Sequence, residues 1–260
     1  MSKMFFPDGG FSLNKVYNLN CLEGMKCMPD KSIDMILCDL PYGTTQNKWD
    51  SIIPLRELWQ EYNRIIKDNG AIVLTAAQPF TSVLITSNLK YFKYTWCWEK
   101  SLKTNFLNAR KQPLRTHEDI VVFYKKQCTY NPQGLKIGFI TGGNGHTGSY
   151  GKWVKKENNQ QFTGYPSSVL KIPNPNQGSI HPTQKPVALF EYLVKTYTNE
   201  GDVVLDNAIG SGTTAIACIN TNRNFIGFEI DKNYFEFANK RIEEITDKGI
   251  NNYNNLQYAY

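Results

Sequence analysis

The 260-residue sequence predicts an α/β fold in which helices cover a mainly parallel β-sheet. Three observations support this prediction. Short apolar runs alternate with segments of helical spacing, a glycine-rich turn joins one run to a helix, and an acidic residue ends the next run. Hydrophobic residues make up 41% of the chain and charged residues 20%, which is typical of a globular protein with a substantial core. This composition excludes a disordered chain, a collagen-like chain and a disulfide scaffold.

The N-terminal half contains four predicted strands and one predicted helix. The strands are residues 33–38, 71–75, 93–98 and 120–124. Each is a short run of apolar or aromatic side chains, as expected of a buried strand. Apolar side chains recur at helical spacing over residues 55–67, which predicts an amphipathic helix. Asn69-Gly70 is a typical helix stop, so we expect the helix to end there.

The C-terminal part of the chain continues the alternation. We predict helices at 187–197, 213–220 and 233–245 and strands at 202–206 and 225–229. The intervening residues 128–180 differ, because they hold nine of the 19 glycines and show no sustained periodicity. A long insert of this kind is either functional or disordered.

The net charge of +6 is unevenly distributed along the chain. Residues 90–115 contain seven Lys or Arg against one acid, Glu99, and residues 128–180 contain five Lys against Glu157. Segregated positive charge suggests a polyanionic partner, although a solvated basic face explains the charge pattern equally well.

Several other classes of protein are disfavoured. The sequence contains no run of about 18 apolar residues, which argues against a membrane-spanning helix, and its first residues lack the apolar core of a signal peptide. The six cysteines show no CxxC spacing and the three histidines are scattered, so we expect no metal site. We therefore expect a cytoplasmic protein.

Gly210-Ser211-Gly212 joins a predicted strand to a predicted helix. Glycines let the backbone turn tightly and approach a ligand closely. Glu229 ends the next strand, 19 positions after Gly210, where a carboxylate can accept both hydroxyls of an adenosine ribose. These features predict a nucleoside-containing cofactor.

NAD is one candidate, because Gly210-x-Gly212-x-x-Ala215 satisfies the dinucleotide fingerprint. Only 31 residues follow Glu229, however, and a nicotinamide enzyme normally continues downstream to build the second half of its sheet. An NAD-dependent oxidoreductase is therefore the weaker alternative.

Asp39-Leu40-Pro41-Tyr42 directly follows the first predicted strand. Ligands of open α/β sheets bind at the carboxyl ends of strands, so we expect Asp39 and Tyr42 to share a rim with Gly210 and Glu229. The alternative is a simple strand-terminating turn, since Asp and Pro are common in turns.

The order of these motifs resembles a known family. The motif at 39–42, His-Pro-Thr-Gln-Lys-Pro at 181–186 and Asp-Asn-Ala-Ile-Gly-Ser-Gly at 206–212 are similar to the β-class amino-methyltransferases of DNA, which use S-adenosylmethionine (AdoMet). The resemblance implies a Rossmann-like AdoMet-dependent methyltransferase sheet, circularly permuted, with an inserted target-recognition region. The implied domains are a catalytic half at 1–127, the recognition insert at 128–180 and an AdoMet-binding half at 181–260.

The resemblance also implies a reaction, methyl transfer from AdoMet to N6 of a flipped-out adenine in double-stranded DNA. Asp39 and the carbonyl of Leu40 would accept hydrogen bonds from the target amino group. Pro41 belongs to the same motif, and Tyr42 would stack on the extruded base. N4-cytosine methylation is the alternative, although those enzymes more often carry Ser at the position of Asp39.

Further contacts are implied for AdoMet and for DNA. Asp206 and the glycine turn would hold the methionine end, Glu229 the ribose, the 183–185 segment the carboxylate, and Asn20 the adenine. The predicted cofactor-binding residues are Asn20, Thr183, Gln184, Lys185, Asp206, Gly210, Ser211, Gly212, Thr213 and Glu229. The predicted DNA-binding residues are Lys100, Lys103, Arg110, Lys111, Arg115, Lys152 and Lys155.

Asn207-Ala208 replaces the family's usual Pro-Phe before the glycine turn. This departure leaves open a DNA-binding module without activity, against which the intact 39–42 motif argues. An RNA or protein-glutamine substrate is another alternative, but protein-glutamine enzymes usually carry the Asn-Pro-Pro-Tyr motif downstream of the glycine turn. The oligomeric state is open, a homodimer being one option.

Overall fold

The computed structural model describes residues 11–43, 52–140, 160–174 and 184–257, and only the backbone of 139, 140, 160 and 248–257. Ten strands lie in these parts of the chain: β1 Lys15–Asn18, β2 Ile33–Asp39, β3 Ile66–Ala76, β4 Phe92–Thr104, β5 Arg115–Phe123, β6 Lys136–Ile140, β7 Gln160–Thr163, β8 Val169–Lys171, β9 Val203–Asp206 and β10 Asn224–Glu229. The helices are α1 Cys21–Lys26, α2 Leu55–Ile65, α3 Phe80–Ser87, α4 Val187–Tyr197, α5 Thr213–Asn220 and α6 Lys232–Gln257.

Eight strands form one sheet in the order β1-β10-β9-β2-β3-β5-β4-β8. The five strands from β1 to β3 run parallel to their neighbours. Strand β5 lies antiparallel to both β3 and β4, and β8 adds to β4 in parallel. Because β2 and β9 are neighbours although 163 residues separate the end of one from the start of the other, the sheet joins the two halves of the chain.

Helices cover both faces of this sheet. Met25, Leu58 and Leu84 of α1, α2 and α3 belong to one buried cluster, while Leu193 and Cys218 of α4 and α5 belong to the other. Strand β2 reads Ile-Asp-Met-Ile-Leu-Cys-Asp and is apolar on both faces at its centre, as a strand covered twice must be. The predicted α/β fold is confirmed.

The predicted helix stop at Asn69-Gly70 is wrong. Helix α2 ends at Ile65, the next residue is already extended (φ −72°, ψ 136°), and Asn69 and Gly70 lie inside β3. A Cβ on Gly70 would lie 2.7 Å from the Asp34 carbonyl oxygen, so the glycine allows close approach of β2 and β3 where their register shifts. The glycine therefore serves strand packing rather than helix termination.

Outside residues 128–180, β1, α1 and α3 were not predicted, and within that segment β6, β7 and β8 were not predicted either. Strand β1 has only four residues and α1 six, which is too little sequence for a periodic signal. Three predicted strands are several residues longer than expected. Strand β3 begins at Ile66, β4 continues to Thr104 and β5 begins at Arg115, with polar residues in each extension.

The described residues divide into two compact units. The first runs up to Asn131 and resumes at Ser168, and the second is Pro132–Ser167. In the second unit β6 and β7 form an antiparallel pair in which Ile137 lies opposite Phe162. Strand β8, which falls within the predicted insert 128–180, belongs to the large sheet. The insert's boundaries and its role in target recognition stay predictions.

None of the helices in the described parts of the chain is both long enough and apolar enough to cross a lipid bilayer.

Candidate active site

A cavity of about 480 Å³ lies along the carboxyl ends of the central strands. Asp39 ends β2, Asp206 ends β9 and Glu229 ends β10, and all three line the cavity. The direction in which strands are added reverses between β9 and β2, and such switch points are the usual ligand sites of open α/β sheets. The expected shared rim is therefore present.

The glycine turn at Gly210–Gly212 bends the chain sharply between β9 and α5. Gly210 and Gly212 have φ values of 51° and 81°, in the left-handed region that favours glycine. Helix α6 packs behind the turn, since a Cβ on Gly212 would lie 3.3 Å from the Cβ of Ala238. The backbone of the turn is thereby held against the cavity, with Gly210 and Ser211 lining it.

Glu229 is a buried carboxylate that stabilises this turn. Its Oε2 accepts a hydrogen bond from the Gly210 N–H at 2.9 Å, and its Oε1 accepts one from the Asp231 N–H at 2.8 Å. Burial raises the pKa of Glu229, and these N–H donors oppose the rise. Because a carboxylate oxygen can accept more than one hydrogen bond, both oxygens can still accept a hydroxyl from a ligand.

Asp206 is a second buried acid beside the turn. One oxygen accepts from the Ala208 N–H at 3.1 Å and the other from the Thr214 hydroxyl. Burial raises the pKa of Asp206 to about 7, although both hydrogen bonds act in the opposite direction. This carboxyl group can therefore change its charge near neutral pH.

Ser211, Thr213 and Gln184 meet around Arg241 of α6. The Arg241 guanidinium donates to the Ser211 carbonyl at 2.9 Å, and the Gln184 amide, with its oxygen facing the guanidinium, accepts from it at 2.9 Å. Burial lowers the pKa of Arg241. Arg241 thus links the predicted 183–185 segment to the glycine turn.

Asn20 has a local structural role. Its side-chain oxygen caps α1 by accepting from the Leu22 N–H at 2.9 Å, while the residue lines the cavity. The amide nitrogen and one acceptor site of the oxygen of Asn20 therefore remain for the predicted adenine contact.

Asp39 is held by three side chains at the other end of the cavity. Its Oδ1 accepts hydrogen bonds from the Tyr42 hydroxyl at 2.7 Å and from the Thr75 hydroxyl. Its Oδ2 forms an ion pair with the Lys185 Nζ at 2.7 Å. Thr75 precedes the last residue of β3, so two adjacent strand ends supply the carboxylate and one of its donors.

Lys185 lies between two carboxylates, which differs from the predicted contact with the cofactor's carboxylate. Its Nζ is 3.2 Å from Glu118 Oε2 as well as 2.7 Å from Asp39. Although burial would lower the pKa of Lys185, both acids raise it, so the side chain stays protonated. An ammonium group already shared by two acids is a poor anchor for a third.

Lys100 is also placed differently from the prediction. Its side chain is only 4% exposed and its Nζ lies 3.0 Å from Glu118 Oε1, so it is buried at the cavity, whereas a phosphate contact was predicted. Burial would raise the pKa of Glu118, but Lys185 and Lys100 together lower it. The four side chains Asp39, Lys185, Glu118 and Lys100 form a charge-balanced chain, which we call the ion-pair chain.

The rest of the 39–42 motif also faces the cavity. Leu40 and Pro41 line it, and Leu40 is buried. The Tyr42 ring stacks on Phe80 with centroids 5.2 Å apart and planes inclined by 27°. The Lys185 Nζ lies over the same ring at 5.8 Å from its centroid. Burial and the nearby Asp39 charge raise the pKa of Tyr42, so its hydroxyl remains a donor.

The other predicted DNA-binding residues of the first basic segment are exposed. They are Lys103, Arg110, Lys111 and Arg115, all near the connection between β4 and β5. The predicted residues Lys152, Lys155 and Thr183 lie outside the described residues. In the parts that are described, no three His, Cys, Asp or Glu side chains come together as a metal site.

Sequence reasoning missed Thr75, Glu118 and Arg241. Thr75 could have been found, because it ends a predicted strand beside that of Asp39. Glu118 precedes the apolar run of β5, yet nothing local distinguishes it from a surface acid. Arg241 lies in a helix rich in charged residues, where spacing alone does not select one of them.

Comparison with known proteins supports a single family. Residues 33–240 match the DNA methylase family that contains N6- and N4-methyltransferases. Among similar proteins, the type II methyltransferase M.HpaI of Haemophilus parainfluenzae is 30% identical over 86% of this chain and 72% of its own. The DNA adenine methyltransferase YhdJ of Escherichia coli is 29% identical over 86% of this chain and 81% of its own.

Solved structures agree with this assignment. The M1.HpyAVI–SAM complex matches with a TM-score of 0.60 and 26% identity, covering 87% of this chain and 98% of that one. The cytosine-N4-specific PvuII DNA methyltransferase has a TM-score of 0.66 and covers 89% of both chains, but at 17% identity it shows only the fold. A family match over most of the chain, a relative at 30% identity and the shared fold place the chain in the DNA methylase family, as a DNA methyltransferase.

Proposed function

We propose that this protein transfers a methyl group from AdoMet to N6 of a flipped-out adenine in double-stranded DNA, at a specific sequence. The observation that carries the proposal is the position of Asp39, which lies on the same cavity as the glycine turn and Glu229. An amino-group acceptor is thus next to the cofactor-binding elements. The relative named as a DNA adenine methyltransferase supports adenine as the target.

The cavity suits AdoMet in size and in chemistry. About 480 Å³ is within the usual range for a small-molecule site. The two left-handed glycines allow close approach of the backbone, and Glu229 retains acceptor capacity for ribose hydroxyls. Asp206 and Glu229 place two acids at this end of the cavity, which complements the positive charge of the cofactor. We therefore assign the cofactor site to Asn20, Asp206, Gly210–Thr213 and Glu229.

Bound AdoMet supplies an electrophilic methyl group on a sulfonium. The protein's task is to position the target nitrogen in line with that methyl group, so that a C–N bond forms as the C–S bond breaks. The nitrogen then loses one proton. Asp39 and the Leu40 carbonyl would accept hydrogen bonds from the amino group, which directs its lone pair away from the ring plane. The target base would stack on the surface of the Tyr42 ring that Phe80 leaves uncovered.

Asp39 keeps one free acceptor site, on Oδ2, while its present partners remain. Tyr42 and Thr75 both donate to Oδ1, and Lys185 donates to Oδ2. An entering amino group would share Oδ2 with Lys185, which can move towards Glu118 without losing an acidic partner. We propose that Glu118 balances the Lys185 charge when the base is bound.

DNA binding outside the cavity is assigned to the basic segments. Exposed Lys103, Arg110, Lys111 and Arg115 would contact phosphates. The insert at 128–180, with Lys152 and Lys155, would read the target sequence. Binding that depends on such contacts weakens steeply with salt, and neutral substitutions should flatten that dependence.

Two further features rest on the sequence and the family. A cytoplasmic location agrees with a DNA substrate, and fluorescence microscopy of a tagged protein would test it. A homodimer is one assembly that the chain could form, and light scattering on the purified protein would measure its mass.

Sequencing that detects modified bases tests the proposed function directly. DNA from cells that express the wild-type protein should carry N6-methyladenine at one sequence context, and DNA from cells that express Asp39→Ala should not. N4-methylcytosine in place of N6-methyladenine would support the alternative target. Absence of any new modification would contradict the proposal.

A further inference from the structure

The connection between β4 and β5 carries an exposed apolar pair that the proposed reaction does not explain. Phe106 and Leu107 lie in a single 3-10 turn, Phe106–Asn108, and their exposed fractions are 73% and 87%. Leu102, at the β4 side of the connection, is 57% exposed. Clustered apolar exposure of this kind typically marks an interaction site.

Hydrogen bonds within the connection fix how this pair is presented. Asn105 adopts a left-handed conformation (φ 70°), and its Oδ1 accepts from Asn108 Nδ2 at 2.8 Å. The Ala109 N–H donates to the Phe106 carbonyl at 3.1 Å. The backbone before the turn is also tied, because the Leu102 N–H donates to Asn174 Oδ1 at 3.1 Å. The pair is therefore displayed by a defined backbone.

The connection begins at the rim of the cavity. Thr104 and Arg115 form the last pair of β4 and β5, and both line the same cavity as Asp39. Between the Glu99–His117 pair and this last pair, β4 advances five residues and β5 two, so β4 bulges where it leaves the sheet. The apolar turn follows directly after the strand that borders the proposed base site.

Cationic residues flank the apolar pair in sequence. Lys103, Arg110, Lys111 and Arg115 are exposed, and the sequence contains no acidic residue between Lys100 and Arg115. An apolar tip flanked by positive charge matches a DNA duplex, whose phosphates lie outside an apolar base stack. A protein or lipid partner would provide apolar contact, but neither would explain the position of the pair beside the base site.

Building on the proposed function, we propose that Phe106 and Leu107 form a wedge that enters the DNA base stack where the target base leaves it. An extruded base leaves a gap in the stack, and apolar side chains inserted between base steps are a known way of stabilising distorted DNA. The wedge would lose its exposure to water in that gap while the nearby cations contact phosphates. It would therefore act on base extrusion and not on methyl transfer itself.

The test compares the Phe106→Ala, Leu107→Ala double variant with the wild type on two duplexes that contain the sequence found by modified-base sequencing. In one duplex the target adenine is paired, and in the other it lies opposite an abasic site, which lowers the cost of extrusion. We expect kcat/KM to fall roughly tenfold or more on the paired duplex and about twofold or less on the abasic duplex. Fluorescence of 2-aminopurine at the target position should show the same difference without any methyl transfer.

Three controls make the result specific. Leu89 lies just before β4 begins, at the end of the strand away from the apolar pair, and its side chain is 63% exposed. Leu89→Ala should not change activity on either duplex. Lys111→Gln should weaken binding to both duplexes by the same factor and reduce the salt dependence. The AdoMet dissociation constant and the melting temperature of the double variant should match those of the wild type.

An equal loss on both duplexes, or no loss on either, would overturn the wedge. Wild-type protein that leaves the paired duplex unmethylated would instead contradict the proposed function, so the two failures are distinguishable.

Discussion

The two ends of the cavity hold their acids in different ways. At the cofactor end, Asp206 and Glu229 accept hydrogen bonds from backbone N–H groups and a hydroxyl, and burial raises the pKa of both. At the catalytic end, the acids Asp39 and Glu118 are paired with the ammonium groups of Lys185 and Lys100. The proposed cofactor end therefore has acids without a cationic partner, which suits a positively charged cofactor. The proposed catalytic end has a balanced set of charges, which suits a neutral base.

This difference has a consequence for how each end can be perturbed. Removing an acid at the cofactor end should weaken cofactor binding, because that acid acts directly on the ligand. Removing Glu118 from the ion-pair chain leaves the buried Lys100 without its carboxylate partner, so stability and chemistry should change together. The predictions below test this contrast, beginning with the largest expected effect.

The first prediction concerns Asp39→Ala. We expect methylation to fall by a factor of about 10² to 10⁴, the range for loss of a positioned acid or base. AdoMet binding measured by calorimetry should change less than about threefold, because the cofactor-end acids are untouched and Lys185 keeps Glu118. Asp30→Ala, which removes an exposed acid that pairs with Arg64, is the matched control and should retain activity. Near-normal methylation by Asp39→Ala would contradict the assignment.

The second prediction concerns Glu118→Gln. The substitution leaves Lys100 buried without its carboxylate partner, so we expect the free energy of unfolding to fall by about 3 kcal/mol. Since Lys185 would then remain on Asp39, kcat should also fall while the AdoMet dissociation constant stays constant. Denaturant unfolding and steady-state kinetics measure the two effects. Glu99→Gln, which removes a carboxylate that pairs with Lys171 at the surface, is the control. Equal free energies of unfolding for the two variants would argue against a stabilising role of the ion-pair chain.

The third prediction concerns Glu229→Gln at the cofactor end. Loss of a charged acceptor should weaken AdoMet binding by about 1.5–3 kcal/mol, or roughly ten- to a hundredfold in the dissociation constant. The Gln oxygen can still accept one of the two N–H groups that Glu229 now holds, so the glycine turn should survive. Calorimetry with AdoMet checks this result, and an unchanged affinity would place the ribose elsewhere.

The fourth prediction is a pH dependence at Asp206. Since its pKa in the folded protein is raised to about 7 from an ordinary value of 3.8, the unliganded fold favours the neutral acid. The stability contributed by this group should be lost as the pH rises from about 4 through about 7. Because a positively charged cofactor favours the ionised form, AdoMet affinity should increase severalfold between about pH 6 and 7.5, below the titration of α-amino groups.

Asp206→Asn is the control for this pH dependence. The amide does not titrate, so AdoMet affinity should be flat over the same pH interval, and thermal stability should no longer fall between about pH 4 and 7 because of this group. The same rise in affinity in Asp206→Asn would assign the pH dependence to another group.

The cofactor end was easier to predict from sequence than the catalytic end. Gly210, Gly212 and Glu229 lie within 20 residues of one another, and a strand, a tight turn and a helix leave a local signal. The chemistry of the turn requires glycine, so its position could be read directly. The structure places Gly210 and Glu229 at the same cavity, and Gly212 in the turn beside it.

The partners of Asp39 are separated from it by long stretches of chain. Lys185 lies 146 residues away in sequence and Thr75 lies 36 away. Which buried cation pairs with which acid depends on the packing of the sheet, and residue spacing does not predict that pairing. For that reason the ion pairs of Lys185 and Lys100 were not predicted, and Glu118 was not identified.

The most direct test of the central claim is nucleoside mass spectrometry on duplex DNA incubated with purified protein and AdoMet labelled at the methyl group. We predict that the label appears in N6-methyladenine with the wild type and falls below the wild-type level by at least about 100-fold with Asp39→Ala. Label in N4-methylcytosine, or equal labelling by both proteins, would contradict the proposal that Asp39 directs methyl transfer to adenine.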